Sequence, residues 1–147
     1  MLMESGSIED RLRVLEAKEE IRNLIQEYRR TLDVRDMRAF SELFASNGTW
    51  TGRSGEATGP EAIHAMLVDA LPDNPPAPGS TLWHLNTDPQ ITVDGARARA
   101  SCLWMHVRRS EGDTPLLPTL GGYEDDLVLE DGRWRFLLRT VHALIPS

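Results

Sequence analysis

The sequence predicts an α+β fold, with helices in its first half and an antiparallel sheet in its second. Apolar residues recur at three- and four-residue intervals as far as Leu71, and from Thr81 the period changes to two. Asp94-Gly95 and Glu130-Asp131-Gly132 fall between alternating runs, where hairpin turns are expected. Helices that precede a meander, rather than alternating with strands, separate α+β from α/β.

The first helix is expected over 7–34. Ser7 with Asp10 resembles a capping box, an acid replacing the usual Glu or Gln. Ile8, Leu12, Leu15, Ile21, Leu24, Ile25, Tyr28 and Leu32 then form an apolar stripe. Its Ile21–Tyr28 part should pack on the concave side of the sheet, with Trp134 and Phe136 closing the core. A short second helix follows Asp36, turning Ala39, Phe40, Leu43 and Phe44 inward and stopping at Asn47-Gly48. Thr49-Trp50-Thr51 reads as a short strand. Gly59-Pro60-Glu61 opens a third helix, with proline in the first turn where its missing N–H costs nothing. Ile63, Met66, Leu67 and Leu71 give that helix its buried face, and 72–80, rich in Pro and Gly, reads as a connecting loop.

Strands are expected at 81–93 and 96–109, joined by Asp94-Gly95, with an edge or bulge at Pro89. A polar loop at 110–115 leads to strands at 118–129 and 133–145. No repeat or second unit is visible, so the whole chain, 1–147, is expected to be one domain.

Composition excludes several classes of function. A net charge of −7 with scattered basic residues is wrong for a phosphate-binding surface, so no nucleic-acid partner is expected. No run approaches the length of a membrane span, and the N-terminus lacks the basic-then-apolar pattern of a secretory signal. The single cysteine, Cys102, permits no internal disulfide. A cytoplasmic location is therefore expected. Cys102 itself reads as a small buried apolar residue, without a basic neighbour in sequence.

Four places carry candidate chemistry. Tyr28 lies on the buried stripe of the first helix and Asp33 follows at its end, either at the rim of that face or as a solvated acid in the turn. His84 shares a strand face with Leu82 and Asn86, where an imidazole is either an acid–base group or a satisfied core histidine. His106 shares a face with Cys102 and Trp104 on the next strand. In Tyr123-Glu124-Asp125-Asp126, alternation puts Tyr123 and Asp125 on one face and the other two acids opposite. His64 is expected at the surface. No Gly-x-Ser-x-Gly elbow, P-loop or dinucleotide fingerprint is present, and no histidine pair has ready metal spacing, so neither cofactor nor metal is expected.

The ordered set of landmarks resembles the SnoaL-like domains of the nuclear transport factor two-like superfamily. The landmarks are Ile21 to Tyr28, Leu32-Asp33, Phe40 to Phe44, Gly48-Thr-Trp50, Gly59-Pro-Glu-Ala-Ile63, Trp83-His84-Leu-Asn86, Gly122-Tyr123 to Leu127 and Asp131-Gly-Arg-Trp134. The resemblance implies a cone-shaped α+β barrel, three helices on a curved, mostly antiparallel sheet, with one hydrophobic pocket. It also implies a homodimer or homotrimer. The dehydratase and dehydrochlorinase branch is most similar, and there an Asp after the first helix orients a strand His. On that likeness Asp33 and His84 form a catalytic dyad, Tyr28 and His106 assist, and Trp50, Trp104, Tyr123 and Arg139 line the pocket. The implied activity is a cofactor-independent lyase or isomerase, dehydratase-like, acting on a hydrophobic cyclic small molecule. The alternative is a non-catalytic ligand-binding or assembly domain, like the small subunits of ring-hydroxylating dioxygenases.

Overall fold

The structure, a computed structural model, describes residues 6–71 and 82–147; the expected loop at 72–80 lies outside them. Helix α1 spans Ile8–Asp33 and starts with the expected capping box: the Asp10 N–H donates to Ser7 Oγ at 3.1 Å and the Ser7 N–H to Asp10 Oδ2 at 3.2 Å. Its buried face is Ala17, Ile21, Leu24, Ile25, Tyr28 and Leu32. Ile8, Leu12 and Leu15 continue the spacing but stay exposed.

Helix α2 spans Met37–Ser41 and is shorter than expected. Arg35, in the left-handed region at φ 62°, turns the chain, and Asp36 caps the helix by accepting the Ala39 N–H at 3.1 Å. Phe44 does not belong to the helix; it begins β1, Phe44–Gly52. Asn47-Gly48 therefore does not stop a helix but sits in a bulge of β1. A Cβ on Gly48 would lie 2.5 Å from the Phe136 carbonyl oxygen, so only glycine allows β1 to approach the last strand there. β2, Gly55–Thr58, is too short and polar to show a period and was not expected. Helix α3, Pro60–Ala70, buries Ile63 and Leu67.

The remaining strands are β3 Leu82–Asn86, β4 Gln90–Asp94, β5 Arg97–Arg109, β6 Pro115–Glu130 and β7 Arg133–Ile145. The sheet order is β2-β1-β7-β6-β5-β3, with β4 also paired to β5. Every pairing is antiparallel except β1 with β7, so the sheet is mostly antiparallel. It curves around the three helices without closing on itself. Pro89 divides the expected strand 81–93 into β3 and β4, both on the same partner. Asp131 (φ 52°) and Gly132 (φ 77°) make the tight turn between β6 and β7.

The core lies between α1 and the concave face. Tyr28 packs on Phe40, Tyr123 and Phe136 with ring centroids 4.5, 5.5 and 5.7 Å apart. Trp134 and Phe136 are buried in the same cluster, as expected. Among the described residues no helix is long and apolar enough to cross a membrane.

Candidate active site

Asp33 is the last residue of α1, and His84 lies midway along β3. The two meet at 2.6 Å, Asp33 Oδ1 to His84 Nδ1. The backbone N–H of His84 also donates to both carboxylate oxygens at 3.2 Å, and Arg29 Nη1 donates to Oδ2 at 3.4 Å. A carboxylate with these donors holds the proton of His84 on Nδ1 and leaves Nε2 with a lone pair.

That Nε2 faces His106. The two histidines are direct antiparallel neighbours on β3 and β5, and their Nε2 atoms are 2.8 Å apart with the rings perpendicular. One nitrogen must donate; with His84 protonated on Nδ1, the donor is His106 Nε2–H. Burial, then the neighbouring His84, push the His106 pKa down to about 4, so His106 is neutral at pH 7. Continuing the β4 register past Pro89 would set His84 opposite Val107. The break slips the pairing by one residue and brings the two imidazoles together.

Both histidines open onto a cavity of about 220 Å³ on the concave side of the sheet. Tyr28, Trp50, Trp104 and Tyr123 also line it, while exposed Arg53 and Ser54 stand at its rim. Trp50 Nε1–H donates to Tyr28 Oη at 2.9 Å. Trp104 stacks on Tyr123 at 5.9 Å and anchors its indole N–H on the Gly122 carbonyl at 3.2 Å. Broader depressions, such as that between Arg99, Glu124 and Thr140, are open troughs on the opposite face of the sheet with no comparable chemistry.

Of the residues expected at the site, Asp33, His84, His106, Tyr28, Trp50, Trp104 and Tyr123 are brought together. Arg139 is the exception. It is fully buried behind the Tyr28 and Tyr123 rings, off the cavity surface, because a bidentate ion pair with Asp125 holds it inward: Nε donates to Oδ1 and Nη2 to Oδ2, both at 2.7 Å. Burial alone would lower its pKa; the charge and hydrogen bonds of Asp125 outweigh that and hold it above the ordinary arginine value. Sequence reading missed this pair: counting from the Asp131-Gly132 turn sets Asp125 opposite Leu138, and a bulge that leaves Leu137 unpaired shifts the register by one residue to make Arg139 its partner. Cys102 is buried, which pushes its thiol up to about 11. His64 is half-buried rather than at the surface, and His142 is outside the cavity, 3.0 Å from Glu124. Among the described residues no group of three or more His, Cys, Asp or Glu side chains is placed to hold a metal ion.

Residues 13–140 match the sequence model of the SnoaL-like domain family. The chain belongs to that family. Among solved structures it is similar to an NTF2-like protein with a cystatin-like fold from Novosphingobium aromaticivorans, at 28% identity and TM-score 0.83, over 100% of this chain and 94% of the other. A proposed scytalone dehydratase from the same organism aligns at 20% identity and TM-score 0.70, over 94% and 89%. The beta subunit of a proposed aromatic-ring-hydroxylating dioxygenase, again from that organism, aligns at 19% and 0.72, over 88% and 90%. These last two likenesses establish the fold alone. No curated protein matches the chain.

Proposed function

We propose that this SnoaL-like protein is a lyase or isomerase that removes a proton from carbon in a hydrophobic, cyclic small molecule, with no cofactor. The observation that supports this most is the 2.6 Å Asp33–His84 contact at the wall of an accessible cavity. A binding or assembly domain has no need of a carboxylate-oriented imidazole there.

In the resting site, His106 Nε2–H rests on the His84 lone pair. A substrate that separates them frees a base and a donor on the same wall. His84 Nε2 takes the C–H proton, and Asp33 stabilises the imidazolium that forms. In elimination, His106 donates a hydrogen bond from its N–H to the departing oxygen or halide as the C–H electron pair becomes the new double bond, and a departing oxygen takes the proton held by His84; in isomerisation that proton returns to the substrate at a second carbon. Elimination and double-bond migration share this first step. Trp50, Trp104 and Tyr123 hold the ring.

The protein is further proposed to form a homodimer or homotrimer through the outer face of its sheet, where Trp83, Leu85, Leu103 and Leu144 are exposed. The cavity and that face are on opposite sides, so assembly leaves the site open.

The test follows proton removal without knowledge of the product. Single-ring ketones are incubated with the protein in deuterium oxide, and exchange next to the carbonyl is read by NMR. Exchange should be catalysed and should disappear in His84→Ala. Equal exchange in that variant, with its fold intact, would refute the assignment of His84 as base.

A further inference from the structure

The Arg139–Asp125 pair has no part in the chemistry above, yet both side chains are completely buried. Burying an ion pair is often no better for stability than apolar residues of the same volume. Its location gives it a use. The Arg139 guanidinium carbon lies 4.1 Å from the centre of the Tyr28 ring and 4.0 Å from that of Tyr123, the two phenols on the cavity wall. Its Nη1 has no hydrogen-bond partner among the described residues. Tyr28 Oη accepts the Trp50 indole N–H, and among the described residues its own hydrogen has no acceptor. A phenol with a cation beneath its ring and an N–H on its oxygen is a better donor, because both stabilise negative charge drawn onto that oxygen. Burial raises the Tyr28 pKa and the Asp125 charge adds to that, while the nearer Arg139 charge and the Trp50 N–H act against it.

We propose that Arg139, fixed by Asp125, is a positioning residue that makes Tyr28 the donor to a developing oxyanion, and that the cavity takes a single-ring carbonyl compound whose enolate oxygen forms at Tyr28. This rests on His84 as the base. As His84 removes the proton next to the carbonyl, the C–H electron pair becomes the new C=C bond. The C=O π pair moves to oxygen, and Tyr28 O–H donates to it. The size limit comes from the cavity: about 220 Å³ is somewhat more than the roughly 150 Å³ that accommodates benzene, so one substituted ring fits.

The test uses 4-nitrophenolate, a single ring carrying a fixed oxyanion, against 4-nitroanisole, a neutral ring of similar shape. The wild-type protein should prefer the anion. Replacing the buried pair by Arg139→Met with Asp125→Leu should reduce the anion-to-neutral affinity ratio about tenfold. In a Tyr28→Phe background the same double replacement should change nothing further. An equal loss for both probes would mean a structural role and overturn the proposal. An unchanged ratio, or a full further loss in Tyr28→Phe, would overturn it as well. Should the double variant not fold, Arg139→Lys keeps the charge under the ring and should retain most of the preference; complete loss there counts against the proposal. Failure of the wild type to bind either ring would overturn the substrate class. The His84 reading fails separately, through absence of deuterium exchange in a protein that still prefers the anion.

Discussion

His106 makes stability depend on pH in a calculable way. Its pKa is about 4 in the folded protein against 6.5 for a free imidazole, chiefly because the ring is buried and secondly because it faces His84. Asp33 favours the imidazolium and Arg35 disfavours it, but neither reverses the direction. Between these pH values the unfolded chain binds more protons than the folded one, so stability rises with pH. The contribution is fully present above about pH 6.5 and is lost as pH falls to about 4. The gap corresponds to about 3 kcal/mol at full value. The ring is partly exposed, and solvent screening reduces this to about 1–2 kcal/mol. Urea unfolding followed by tryptophan fluorescence measures it. With a slope of about 2 kcal/mol per molar, the midpoint should drop by about 0.5–1 M more in wild type than in His106→Gln from pH 6.5 to 4. Titrating groups not in contact with His106 are common to both proteins and cancel. Parallel pH curves would refute the argument, and a larger drop in the variant would reverse its sign.

Asp33→Asn should leave the circular dichroism spectrum unchanged but slow deuterium exchange by about 10² to 10⁴, because an amide cannot accept from His84 Nδ1–H with a carboxylate's strength or stabilise the imidazolium; a rate within threefold of wild type would dispose of the dyad. Gly121→Ala should cost about 1–3 kcal/mol and shift the Trp104 emission, since a Cβ there would collide with the Trp104 indole and the His142 carbonyl; thermal unfolding that matches wild type would show that the indole is not held against this strand.

The fold was legible where a single pattern fixed an element. Ser7 with Asp10 marked the start of α1, and Gly59-Pro60 marked that of α3. The Asp131-Gly132 turn fixed the β6–β7 register as far as Leu127 and Phe136, beyond which a bulge shifts it by one residue. Elements that depend on partners distant in sequence were misread. Phe44 has helical spacing from Phe40, but its place is decided by pairing with Phe136, about ninety residues later. Gly48 resembles a helix stop, yet it is required by the approach of the Phe136 carbonyl. The exposed Ile8, Leu12 and Leu15 show the converse: spacing marks a face but does not supply anything to cover it.

The site divides in the same way. Asp33 and His84 were suggested by resemblance, and Tyr28 lay on a visible apolar stripe. The contact between His84 and His106 could not be counted from the Asp94-Gly95 turn, because uninterrupted pairing gives Val107 as the partner of His84. A proline that removes one donor and breaks the alternation decides which residue the imidazole meets. Arg139 illustrates a similar limit. Alternation from Trp134 and Phe136 puts it on the outer face, and only the bulge at Leu137 turns it inward. Two 2.7 Å bonds to Asp125 draw the guanidinium away from the cavity and under the rings that line it. A charge expected to touch the ligand therefore has to act through Tyr28, so its effect should depend on the charge of the ligand's oxygen and not on the shape of its ring.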